Sequence, residues 1–424
     1  MKKYIFFGIF VLCTIVTLSA QITSDFLYEN YVFEKDVRSV ELYRDGYPFS
    51  FPVIQLQSDE QLILSFDELG SRSRYLKYTF IHCSYDWKPD GLNAIEYLEG
   101  FMEDDISSSS FSFNTIQPYT HYVLAFPTDM MRPNISGNYI LFVYDESPDN
   151  PILTRRFVVV ENQMAEIRGM VKQASDVSDM FRKQEVDFYA HTGAWNVRNP
   201  AQYLHANIVQ NGRWDNAVIG LRYRYGKPGE YSFDYDDGQN VFNGSSEFRT
   251  FDIKSLKYDG NHITSIGYEK QSHVAYLIED MPRPFGPYVS GNTLNGRCYY
   301  KTEDFVEENR EEYVYTTFTL KSDFPLTGGK CYVFGQLTDW KIQSDAQLHY
   351  NKQFDFWEAT LYLKQGLYNY QYVWVPDHSN TIDETYIEGN HWETMNEYSV
   401  FLYLRDEGGT YDRLIGFTTL KLVH

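Results

Sequence analysis

At 424 residues the chain is too long for one ordinary sandwich and, at about 150 residues per domain, implies several, with ample apolar material for sizeable cores. Aromatic residues make up 17% of it, 37 of them tyrosine, which describes an ordered, strand-rich protein and excludes a disordered one. The net charge of −21 argues against nucleic acid and anionic membrane surfaces as partners, because phosphate binding depends on Lys and Arg.

Residues 1–20 read as a secretory signal peptide: Lys2 and Lys3, an apolar run over 5–18, then Ser19-Ala20 before Gln21. The run is short for a membrane span, and Cys13 follows Leu12, where a lipoprotein cut wants a small residue. The mature chain loses two lysines, taking −21 to −23, and is expected to be soluble, without direct membrane insertion.

Residues 21–162 predict a first β-sandwich. Short runs rich in β-branched and aromatic residues at 61–66, 75–82, 121–126, 138–144 and 155–160 are separated by Pro, Gly, Asn and Asp, which reads as antiparallel strands. In the run 138–144, Tyr139, Leu141 and Val143 oppose Ile140, Phe142 and Tyr144, so both faces are apolar. Lys88-Pro89-Asp90-Gly91 is a turn by residue chemistry. Ser107 to Ser110 reads as a loop or polar edge, not a nucleophile site.

A middle sandwich is expected over 163–284, with strands at 165–171, 185–191, 204–210, 221–225 and 274–279, and a helical turn or long loop at 174–183. Three prolines in Pro282 to Pro287 predict a semi-rigid joint to a third sandwich over 285–424. There, residues 314–320 and 357–364 alternate with period two, the mark of half-buried antiparallel strands. The fold class is therefore all-β, in tandem antiparallel immunoglobulin-like sandwiches.

QPYTHY at 117–122, SGNY at 136–139 and LTRRF at 153–157, followed by GQLTDW at 335–340, YNYQYV at 368–373, EGNHWETMNEY at 388–398 and YDRLIG at 411–416, resemble the plug protein family of the type IX secretion system of the Bacteroidetes. The third domain, with VFGQLTDW and then FWEATLYLKQGLYNYQYVW, also resembles early-set immunoglobulin domains of the glycogen-binding type. The plug resemblance implies a periplasmic, non-enzymatic monomer, associated with the outer membrane. Its partner is the large β-barrel translocon, whose periplasmic end it occludes. It implies no cofactor.

Site chemistry points the same way. HExxH, GxSxG, CxxC and Gly-rich phosphate loops are missing from the sequence, so neither catalytic nor cofactor-binding nor metal residues are assigned. Asp234, Asp236 and Asp237 before Gly238 suit a hard cation but miss the EF-hand spacing, and read as a solvated turn. Trp340, Trp357, Tyr370 and Trp374 could serve a cell-envelope carbohydrate-binding protein, the alternative function, although alternation places Trp357 on a core face. Its discriminating mark is an exposed, coplanar tryptophan pair. His82, His121 and His391 read as hydrogen-bonded structural residues. Arg155 and Arg156 are candidate partner contacts, or else a charge pair at a strand end. Of the three mature cysteines, Cys83 reads as a buried apolar residue, and Cys298 with Cys331 is a pairing that sequence leaves open.

Overall fold

The computed structural model describes residues 27–161, 164–193, 197–291, 293–306, 309–323 and 326–422, so the expected signal peptide over 1–20 lies outside the described residues. Among these, no helix is long and apolar enough to cross a membrane.

The first core lies between two sheets. One runs Tyr31–Val32, Pro151–Val160, Gly137–Asp145, Leu76–Cys83 and Asp104–Asp105, with Val53–Gln55 added in parallel to Pro151–Val160. The other runs Val37–Arg44, Leu62–Leu69, Tyr119–Phe126 and Ser108–Phe111. The serine run is thus an exposed edge strand. Strand Gly137–Asp145 is buried on both faces, as its two apolar sets predict. Tyr139, Leu141 and Val143 fill the sandwich. Ile140, Phe142 and Tyr144 face outward onto Val209, Phe401 and Tyr403 of the next sheet.

That sheet comprises Val218–Leu221, Leu204–Gln210, Glu397–Arg405 and Asp412–Lys421. It closes a second core against Glu166–Gln173, Lys183–His191 and Glu230–Phe233. Four sheets therefore stack in succession, and Leu204–Gln210, buried at every position, sits within the stack. Residues 176–182 form turns without a helix.

The third core joins Arg249–Asp252, Gly366–Pro376, Cys298–Tyr300 and Gly329–Phe334 to a five-stranded sheet of Ile263–Glu269, Ser272–Leu277, Tyr313–Leu320, Phe356–Lys364 and His349–Asn351. Strand Ser272–Leu277 pairs in parallel with Tyr313–Leu320, so the sheets do not part between 284 and 285, where the division was expected. The third core is instead inserted into the second, whose last hairpin returns after residue 396. The proline-rich stretch is bound within the third unit, Arg283 N–H donating to Ile387 O at 2.8 Å. Two antiparallel passes of chain make the actual joint: His391 N–H donates to Ser245 O (2.8 Å) and Asn396 Nδ2 to Gly244 O (2.8 Å). A Cβ at Gly244 would stand 2.0 Å from His391 O, so only glycine lets the passes approach.

Units one and three meet at a buried charge. Asp67, fully enclosed, accepts hydrogen bonds from Tyr313 Oη (2.8 Å) and bonds His121 Nδ1 (2.6 Å), while Lys364 Nζ stands 2.7 Å away. Burial pushes its carboxyl up, but the Lys364 charge and the His121 and Lys364 hydrogen bonds outweigh that and hold it below the ordinary range. Nearby Glu41 has no such partner, and burial, offset in part by Lys364, pushes it up to about 7.

Two predictions follow from this junction. Lys364→Met strands the Asp67 carboxylate in the interior and should cost about 3–5 kcal/mol in urea unfolding; a wild-type midpoint would refute the clamp. The folded Glu41 value lies above the ordinary 4.5, so the folded state binds more protons between the two values and loses stability as pH rises from 4.5 to about 7. Glu41→Gln should therefore be more stable than wild type at pH 8, by about 1–3 kcal/mol, with the two converging at pH 4 in a series of unfolding curves.

Candidate functional site

The four aromatics of the third unit do not form a platform. Tyr370 is fully enclosed, and Trp374 is buried and stacked on Tyr386 at 5.0 Å. Trp357 packs on the third core. Trp340 is wedged against Phe334 and Phe248, with the Arg213 guanidinium 4.9 Å from its ring. Gly296, at φ +79°, makes room for it, since a Cβ there would lie 2.2 Å from Trp340 Cη2. The coplanar exposed pair that would mark a glycan surface is not made by these residues.

The carboxylates of 234–237 diverge. Asp236 pairs with Arg224, and Asp237 bonds Gln239. Asp234 alone joins Glu185 and Asp187, a grouping visible in sequence only through the i, i+2 spacing of the last two. Lys172 Nζ occupies the cationic role there, 2.5 Å from Asp187 and 3.3 Å from Glu185. Ser175 N–H and Oγ also donate to Glu185, and Asn240 to Asp187. The cluster is an ion pair that fixes the strand Lys183–His191.

The histidines are structural. His82, buried, bonds Asp90 through Nδ1 and meets Ser136 O at 3.2 Å through Nε2. Its ring explains the glycine of SGNY, because a Cβ on Gly137 would come within 2.4 Å of Nε2. His121 orients toward Asp67. Burial lowers His391, whose ring faces Tyr288. All three cysteines are free and buried. Cys298 and Cys331 sit opposite Tyr368 and Trp374 of one strand. Six residues of rise, about 20 Å, separate those registers and prevent a disulfide.

Where the three units meet, a cleft of about 110 Å³ opens. Its walls bring together Asn30, Glu41 and Phe51 of the first unit, Trp214 of the second, and Arg297 and Asp339 of the third. Arg155 and Arg156 line it too, so they are not a pair on a solvated strand end. Arg155 is buried, donates to Thr154 O (2.9 Å) and pairs with Asp339 at 3.3 Å. Arg156 lies 4.5 Å from the Trp87 ring and 5.4 Å from that of Trp214, and its Nε and Nη2 donate to Tyr28 O. Burial pulls this guanidinium down to about 10. Residue type made the two arginines visible in the sequence; that they are enclosed between units is a tertiary fact no local signal carries.

The model of the type 9 secretion system plug protein 1st domain matches residues 37–161, the span of the first core. The crystal structure of a hypothetical protein from Parabacteroides merdae superposes with a TM-score of 0.88 at 32% identity, covering 93% of this chain and 99% of that one. The C-terminal domain of the Streptococcus pyogenes antigen I/II-family protein AspA aligns over 90% of this chain and 99% of its own at 7% identity, but its TM-score of 0.14 carries no structural likeness. No curated protein matches the chain. With the first sandwich matched as a plug domain, the chain belongs to the plug protein family of the type IX secretion system, and so to that secretion machinery at the cell envelope.

Proposed function

We propose that the protein is a non-enzymatic periplasmic plug that seats against the mouth of the outer-membrane translocon barrel and occludes it. The observation that carries this reading is the plug-domain match over residues 37–161. The architecture supports it, because a plug must resist deformation and the units here are tied by buried contacts. Besides Asp67, Tyr403 Oη donates to Asn138 Oδ1 (2.7 Å), Asn207 Nδ2 to Tyr85 O (2.7 Å), and Arg413 pairs with Glu161 (2.6 Å). Asp67, Glu161 and Glu312 all serve in such ties, which suits a binding protein.

A plug must also leave, so its seat is of transient size, about 1,600 Å² with a polar rim. A good candidate lies at one end of the first unit. There Phe101 and Met130, 55% and 52% exposed, are held side by side by the Phe101 N–H to Met130 O bond (2.8 Å). Exposed apolar neighbours of this kind mark contact surfaces.

The test is a pull-down of natively expressed, C-terminally tagged protein from solubilised outer membranes. We expect one very large barrel in stoichiometric amount, and a barrel conductance that falls when the protein is added back. Recovery of the protein alone would sink the occlusion reading. Phe101→Asp with Met130→Asp should lower barrel recovery by about tenfold or more, the effect of losing at least 1.4 kcal/mol of binding, with the unfolding midpoint unchanged.

A further inference from the structure

Among the described residues, four enclosed guanidinium groups are each matched by carboxylates, and Arg156 departs from them. Arg74 meets Glu34 and Glu68, Arg213 meets Asp215 and Glu384, Arg249 meets Asp280 and Glu388, and Arg413 meets Glu161. Each is held above its ordinary range despite burial. Arg156 has only a backbone carbonyl and two indole faces. No carboxylate of the described residues pairs with it.

The neighbouring acids are committed elsewhere. Asp339 is paired with Arg155, Glu29 with Lys341 (3.2 Å), and Arg297 takes up Glu397 (3.1 Å). Glu41 lines the same cleft, but its raised value leaves it substantially protonated near neutral pH. A buried charge without a counter-charge is costly, and this one borders an opening of about 110 Å³. Such a space admits one carboxylate group and its stem and falls below the roughly 300 Å³ of pockets that enclose drug-sized ligands. One unpaired positive charge matches a monoanion, and the overall charge of −21 disfavours a dianion such as phosphate.

We propose that the cleft between the three units is a carboxylate-binding site, with Arg156 as the charge partner and Asn30 beside it. The planar guanidinium, fixed between Trp87 and Trp214, can present a fork to a carboxylate. The ligand is either a glutamate or aspartate side chain of a partner polypeptide or a small free carboxylate. The proposal does not rest on the occlusion reading.

The full mature protein can be titrated with sodium acetate, with N-acetyl-glutamate amide and with a short glutamate-bearing peptide. N-acetyl-glutamine amide, inorganic phosphate and sodium chloride serve as controls. Trp87 and Trp214 lie against Arg156, so tryptophan fluorescence reports occupancy beside the unfolding midpoint. We expect a saturable response to carboxylate, weakened at least about tenfold in Arg156→Gln, the loss of a charge-assisted pair. Asn30 lines the same cleft as Arg156, and its Oδ1 accepts the Arg156 backbone N–H at 2.7 Å, so residue 30 is held beside Arg156. Asn30→Asp should therefore supply the counter-charge internally, raising the midpoint and abolishing the response; it decides the matter if Arg156→Gln does not fold. A response to acetate assigns a free anion, and one confined to the glutamate peptide assigns a partner side chain. No saturable response, an equal response in both variants, or a response to phosphate alone would overturn the proposal.

Discussion

The structure depends on a carboxylate that water cannot reach. Asp67 sits in the outer sheet of the first unit, and three of its neighbours come from elsewhere: His121 from the adjacent strand, Tyr313 and Lys364 from the third unit. An isolated carboxylate in such a place would take up a proton; this one is held ionised by the ammonium beside it. The geometry that keeps the charge is therefore also the geometry that docks one sandwich on another. Glu312 reinforces the same seam, its carboxylate receiving the Ile116 and Gln117 N–H groups. Register errors or slippage between the units would leave these groups unpaired, so the junction specifies orientation as well as affinity.

The other seam is apolar. The first unit's inner sheet turns its second face, through Ile140, Phe142, Tyr144 and Val158, onto Phe401, Tyr403 and Leu414. Polar groups cross it in hydrogen-bonded pairs such as Asn138 with Tyr403. The stacked rings of Tyr85 and His205, 4.2 Å apart, close its edge, and burial there lowers His205 to about 4, keeping it neutral. One charged seam and one apolar seam together leave the three cores little independent motion.

Much of this was legible in the sequence, and what was not has a common cause. Period-two alternation located the strands at 314–320 and 357–364 nearly to the residue, because each must present one set of side chains to a core, while apolar and β-branched runs between turn residues located those at 138–144 and 204–210. The run at 221–225 is instead split, Leu221 ending the strand Val218–Leu221 and Tyr225 beginning Tyr225–Lys227. The prolines at 282–287 looked like a border since they stiffen chain, yet the strands before and after them pair with each other. Only the return of residues 397–421 to the second core reveals that, and long-range pairing leaves no local mark. The same blindness applies to Arg156: its residue type is plain, while its lack of a counter-charge is a property of three units brought together.

The insertion of the third core into the second has a consequence for how the molecule is made. The second core takes two of its strands from 397–421, the far end of the chain. A polypeptide delivered from its N-terminus can complete the first sandwich early. The strand Leu204–Gln210 can pair early with Val218–Leu221 on one edge, but its other edge must wait until some two hundred residues later Glu397–Arg405 arrives. Closing a loop of that length is slow and leaves sticky edges exposed in the meantime. The middle of the molecule, latest to be sealed, is thus where a folding assistant would be most needed and where a truncated copy would be most readily recognised as unfinished.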